Sequence, residues 1–343
     1  MVVNKMGTKP AFWDTIVNRM GRKNALLLGV VLVLGLLPIA FQGNAQILNI
    51  LSACLMWGVV AASWDLSIGY ANVWSFGHIA FFVIGGYTSA LTGLYLGIPP
   101  EAAIPLGGVV AAIFGILIAL PCLRLHGIYI AMVTFGIHLV LPTFIQWGRD
   151  ITNGYMGISG FAPLQLGQYT FSSSVPFFSY YVIFGISILL FFIIYRIINS
   201  SVGLAFVALR DSEPVAKSLG VNEYKSKLIV FAISAFIAGL MGAVYTSFYG
   251  TITPAVLEVS TFLMALIMLM LGGLGRFPGA IIGAFIIIGL SEALRPLLLL
   301  RFVILGAIVI AVMIAMPQGL MGLPETIRSF IRRRHAGKET SQI

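Results

Sequence analysis

Residues able to carry charge are scarce in this chain, and many of them gather in one polar stretch, Ser200–Lys227, between long apolar runs. Within it Arg210, Asp211 and Glu213 precede Val215, Ala216 and Leu219, and Gly220 follows as a helix C-cap with Asn222 just after. That order predicts a short helix, apolar on one face, lying at the membrane surface. Such a helix can insert Val215, Ala216 and Leu219 into a groove of a soluble partner while Arg210 and the acids fix its orientation at the rim. A solvated connector following the membrane surface is the plainer reading, and composition alone does not separate the two.

The ionisable groups inside apolar runs are Asp65, His78, His138, Glu258 and Glu292. Glu292 and Arg295 stand three residues apart, the spacing of a local helical ion pair. His78 and His138 read either as residues lining a path or as packing histidines. A proton relay needs several acids or histidines along one route, and no such series is visible. Cys54 and Cys122 lie in apolar runs with no second Cys or His at ligand spacing, so neither a disulfide framework nor a metal site is expected. The chain has no Gly-x-x-x-x-Gly-Lys-[Ser/Thr] phosphate loop, no His-Glu-x-x-His and no Gly-x-Ser-x-Gly turn. It is therefore not expected to be an enzyme or to bind a cofactor; if ATP drives it, the ATPase is another chain.

The elements that must position these residues follow from composition. With 59% hydrophobic and 9% charged residues and a mean hydropathy of +1.02, too little polar surface exists to cover a soluble globule of 343 residues. Apolar runs of spanning length predict an all-α polytopic membrane protein of about ten transmembrane helices, near 25–41, 46–63, 75–96, 102–122, 126–147, 176–198, 226–250, 257–273, 279–295 and 299–316. An N-terminus in the cytoplasm leaves only Arg149, Arg295 and Arg301 of the 20 basic residues outside, the asymmetry that membrane topology requires. Residues 1–24 then form a cytoplasmic tail, 25–316 the membrane domain with its cytoplasmic loop at 200–225, and 317–343 a basic cytoplasmic tail. The net charge of +9 is read as orientation, not as nucleic-acid binding, because the basic residues flank spans.

Glycine-rich segments punctuate the spans. Gly85-Gly86 and Gly239-Leu240-Met241-Gly242 suit close helix packing in lipid. Gly77-His78 and the run from Gly272 to Gly279 suit broken helix or re-entrant backbone lining a cavity, so Ser75, Gly77, His78, Tyr87, Gly272 and Gly273 are candidate path residues. The segment from Gly148 to Pro176 holds Asn153-Gly154-Tyr155-Met156-Gly157-Ile158-Ser159-Gly160 and reads as a tether or a binding surface.

Glu213-x-x-Ala216-x-x-x-Gly220, followed by a long apolar helix from Leu228, resembles the ATPase-contacting loop of ABC importer permeases. More narrowly, the chain resembles the M-type permeases for branched-chain amino acids. Four ordered blocks carry that resemblance: Gly69-Tyr70 with Ser75-Phe76-Gly77-His78 through Tyr87-Thr88, Asn153 to Gly160, Gly203 to Gly220, and Gly272-Gly273-Leu274-Gly275 with Pro278-Gly279-Ala280. It runs from about Leu51 to Gly322. Pro214, Val215 and the Asn72-Val73-Trp74 stretch depart from the family pattern.

The resemblance implies a bacterial-type plasma membrane and an ATP-driven importer of leucine, isoleucine and valine working by alternating access. It implies as partners a second, homologous permease, two ATPase subunits that hold ATP and Mg, and an extracytoplasmic solute-binding protein. Arg210, Asp211, Glu213, Val215, Ala216, Leu219 and Gly220 would form the ATPase-coupling loop, and Asn153, Gly154 and Gly157 a contact for the binding protein. Related permeases carry urea, short amides or other amino acids, so the resemblance leaves those substrates as alternatives. From another class, a stand-alone secondary transporter or channel would use the loop as a plain connector.

Overall fold

A computed structural model describes residues 29, 31–125, 127–166, 169–297, 300–315 and 319–322. The tails expected at 1–24 and 317–343 lie outside these residues apart from 319–322, and so do their basic clusters. Thirteen helices can be followed: α1 Val31–Ala40, α2 Ala45–Asp65, α3 His78–Leu96, α4 Pro100–Cys122, α5 Ile128–Trp147, the single turn α6 Arg149–Thr152, α7 Pro176–Ile198, α8 Ser201–Asp211, α9 Glu213–Ser218, α10 Glu223–Tyr249, α11 Val259–Gly272, α12 Gly279–Ala293 and α13 Leu300–Ala315. Among the described residues, each of the ten stretches expected as spans overlaps a helix. Six of these helices are long and apolar enough to cross a membrane: α2, α3, α4, α5, α7 and α10. The chain is an all-α, multi-pass membrane protein. Within the described residues α1, α11, α12 and α13 are shorter; 14 residues in α11 rise only about 21 Å, less than a hydrocarbon core of roughly 30 Å.

Local signals set the boundaries. The side chains of Asn44, Ser200 and Asn222 accept hydrogen bonds from the first turns of α2, α8 and α10, the donors that a helix N-terminus otherwise leaves orphaned. Pro100 and Pro176 open α4 and α7, where a missing N–H costs nothing. Two starts depart from expectation by three residues, and the first is α10, which begins at Glu223 under its Asn222 cap and not at 226. The helix expected to begin at Ser75 begins at His78, because the chain leaves α2 through a wider π turn, Leu66–Tyr70, and crosses back as an irregular segment. Within that segment the Trp64 indole donates to Ser75 O at 2.6 Å.

In lipid there is little hydrophobic drive between helices, so packing depends on close approach. A side chain at Gly85 would overlap the backbone of Gly239, and one at Gly242 would overlap Phe82 O. Backbones of α3 and α10 therefore touch, and α4 joins them where Gly107 meets Gly85 O. Around this trio α2 packs on α7, α10 and α12. By contrast α5 stands off α4, leaving an apolar cleft of about 510 Å³ lined by residues such as Phe114, Leu117, Val133, Gly136 and Phe144.

The polar loops sort to two ends. α7, 23 residues long and so about 35 Å, separates the Gly148–Val175 segment from Ser200. Arg124, Arg196, Arg210, Lys217, Lys225, Lys227 and Arg276 lie at the α8–α9 end, and Arg149, Arg295 and Arg301 at or near the other.

Candidate functional site

Ser200–Asn222 folds as two short helices, α8 and α9, with extended Ser212 between them. Pro214 sits in the first turn of α9. Gly220, at φ +85°, closes it: Gly220 N donates to Lys217 O and Val221 N to Ala216 O, both at 3.0 Å. That is a Schellman cap, and only glycine takes the required φ without strain.

A chain of ion pairs braces α9 against α10. Lys217 Nζ lies 2.6 Å from Glu213 and 2.6 Å from Glu223, and Glu223 in turn pairs closely with Lys227. The Glu213 hydrogen bond first, then that to Glu223, holds the Lys217 ammonium above the ordinary lysine range. Glu223 is buried, and Lys227 also reaches Leu125 O at 3.4 Å. Beside this brace lies a cavity of about 130 Å³ edged by Asn72, Trp74, Glu213 and Lys227.

The expected apolar face needs two corrections. Val215 and Leu219 are 56% and 77% exposed, but Ala216 is 1% exposed and packs inward. Ala216 thus seats the helix and cannot enter a partner's groove; at i+1 from Val215 it points some 100° away around the helix. Arg210, expected at the rim, turns into the bundle instead: its Nη1 donates to Gly69 O at 3.0 Å, while its Nε donates to Asp211 Oδ1 at 3.0 Å.

Gly69 belongs to the π turn after α2, whose last carbonyls lack helical partners. There α2 also meets the turn between α11 and α12. Gly275 N donates to Asp65 Oδ1 at 2.9 Å, and Phe277 N to Tyr70 Oη at 2.9 Å. Gly273 and Gly275 have φ of +102° and +65°, so this is a tight left-handed turn. Gly272 and Gly279 touch backbone to backbone at its base.

His78 and His138 are wholly buried. His78 Nε2 lies 2.9 Å from Ser63 Oγ, and its ring stacks on Trp64 with centroids 5.5 Å apart and planes within 3°. Trp64 meets Phe262 of α11 at 5.7 Å, and Phe262 meets His138 at 5.4 Å. The two histidines therefore end one aromatic cluster. Ser75 and Tyr87 are buried nearby in sequence, on the crossing segment and on α3, and Gly77 abuts Thr134 O. Gly272 and Gly273 lie apart from these, at the turn under α8.

At the opposite end, Asn153, Gly154 and Gly157 take φ of +59°, +58° and +71°. They lead into Ile158–Ser159, which pairs antiparallel with Thr251–Ile252 beyond α10. Gly157 is pressed against Ile252 O. The segment is thereby clamped to the bundle and is no free tether.

Sequence does not assign Lys217, Glu223, Lys227, Gly69 or Gly275 to a site, and it marks Asp65 only as an ionisable group in an apolar run. The i, i+4 spacings Glu213/Lys217 and Glu223/Lys227 were a usable signal. Gly69 and Gly275 each stand in a block that carries the resemblance, but nothing local shows that the two meet, since they are distant in sequence.

The model of the family described as "Branched-chain amino acid transport system / permease component" matches residues 46–316. The chain is 28% identical over 320 residues to the high-affinity branched-chain amino acid transport system permease protein LivM of Escherichia coli K12, covering 87% of this chain and 75% of that protein. It is 34% identical over 129 residues to LivH of the same strain, 37% of this chain and 41% of that one. With the probable branched-chain amino acid transport permease protein LivH of Methanocaldococcus jannaschii it shares 28% over 275 residues, 74% of this chain and 84% of that one. No solved structure gives a significant match.

Proposed function

We propose, from the premise that the chain belongs to the family of branched-chain amino acid transport system permease components, that it is the membrane permease subunit of an ATP-driven importer of leucine, isoleucine and valine. The observation that carries the coupling role is the pair Val215 and Leu219, exposed on a helix that ion pairs and a glycine cap hold rigid. A braced helix transmits a push that a floppy connector would absorb. Its apolar outer face suits the groove of a soluble ATPase subunit, which would hold ATP and Mg.

The α8–α9 end is assigned to the cytoplasm of a bacterial-type plasma membrane on its excess of Arg and Lys, and ten crossings with both termini cytoplasmic are part of this reading. A second permease is supported by the existence of LivM-named and LivH-named relatives in one organism. Two ATPase subunits and an extracytoplasmic binding protein, docking near Asn153, Gly154 and Gly157, complete the assembly. Alternating access would move the helices around a path near Ser75, Gly77, His78, Tyr87, Gly272 and Gly273.

The test is uptake of labelled leucine by cells carrying Glu213→Lys or Gly220→Trp. Both variants are expected to insert normally and to lose uptake at least about tenfold, with the ATPase no longer co-purifying in mild detergent. Unaltered uptake by both would refute the coupling role.

A further inference from the structure

Three segments far apart in the chain converge on Gly69, and each supplies a polar contact. From α8, Arg210 Nη1 reaches the Gly69 carbonyl at 3.0 Å. From the α11–α12 turn, Gly275 N reaches Asp65 Oδ1 at 2.9 Å, one helical turn earlier on α2. A Cβ on Gly69 would overlap both Asp65 Oδ1 and Gly275 N, and one on Gly275 would stand 2.6 Å from Gly69 O and 2.8 Å from Arg210 Nη1. No slack remains at this junction.

These contacts differ from the outer face of α9. Asp65 is 3% exposed, and the Arg210 side chain only 34%, so the junction is turned into the bundle and is not the docking surface. A carbonyl at a helix C-terminus is a favourable partner for a guanidinium, which satisfies an orphan acceptor and faces the negative end of the helix dipole. Such a charge-assisted bond is directional.

We propose that Arg210, Asp65 and Gly275 form a transmission latch, in which displacement of α8 by a docked partner is passed to the end of α2 and, through Asp65, to the α11–α12 turn. Arg210 and Asp65 act as positioning residues: they make the docking loop and the two distant helix ends move together. The latch rests on the importer reading, and the experiment separates the failure of one from the failure of the other.

The whole complex is purified, reconstituted in vesicles with its binding protein, and assayed for leucine taken up per ATP hydrolysed. If the unaltered complex holds no ATPase or shows no ATP-driven uptake, the importer reading fails and the latch with it. Given a working complex, Arg210→Ala is expected to retain the ATPase subunits but to lower leucine per ATP at least about tenfold. Gly275→Ala, which removes no charge and only wedges the junction, is expected to do the same. Asp65→Asn keeps an oxygen for Gly275 N and is expected to restore the ratio to within about twofold of normal, whereas Asp65→Ala is not. Loss of the ATPase from the Arg210→Ala complex would make Arg210 a docking contact and overturn the proposal. So would normal leucine per ATP in both Arg210→Ala and Gly275→Ala, or a ratio as low in Asp65→Asn as in Asp65→Ala.

Discussion

At the scale of single residues, position decides what a charge does. Lys217 and Lys227 both pair with Glu223, yet the Lys217 side chain is 46% exposed and that of Lys227 only 11%. Water screens the first pair, and exposed pairs contribute little. The carboxylate is shared, so the difference lies in the cation: Lys227→Met leaves the buried side of Glu223 without its desolvated partner, whereas water already screens the charge that Lys217→Met removes. Lys227→Met is therefore expected to cost about 2 kcal/mol, and Lys217→Met to shift the melting temperature far less. Thermal unfolding of both variants in the same detergent checks the order, and an equal or reversed effect would contradict it. The lysine spacings were readable from sequence, but which lysine is buried was not, since both sit four residues from an acid.

At the scale of elements, glycine has two uses here, and sequence does not distinguish them. Gly242 lets α10 lie against the α3 backbone, whereas Gly136 on α5 faces the open cleft with no neighbouring atom where a Cβ would stand. Gly242→Leu must force the helices apart and is expected to cost about 3 kcal/mol or more. Gly136→Leu meets empty space and gains helix propensity, so its stability should hold or rise by up to about 1 kcal/mol. Melting curves in detergent read both; a destabilised Gly136→Leu would mean that α5 closes on α4 in the working protein. Small-residue spacing did announce the close packing of α3 and α10. It could not show that α5 stands away, because α5 is as apolar and as regular as its neighbours.

At the scale of the whole molecule, the proposed importer reading places ATP hydrolysis on another subunit. Reconstituted alone, the chain is expected to show no leucine uptake driven by a proton or sodium gradient, and to gain ATP-dependent uptake only with its ATPase and binding protein. Gradient-driven uptake by the isolated chain would establish the secondary-transporter alternative. The apolar cleft beside α5 is not a plausible seat for an amino acid, since a zwitterion there would lack hydrogen-bond partners. Sequence by itself determined the membrane class, the places of the helices and the capped polar loop, because hydropathy, capping residues and positive-φ glycines act over a few residues. Only the tertiary structure decided that Ala216 seats the loop, that Arg210 turns inward, and that Gly69 and Gly275 meet across some 200 residues. Those facts depend on which backbones approach one another in space, and no local spacing encodes that.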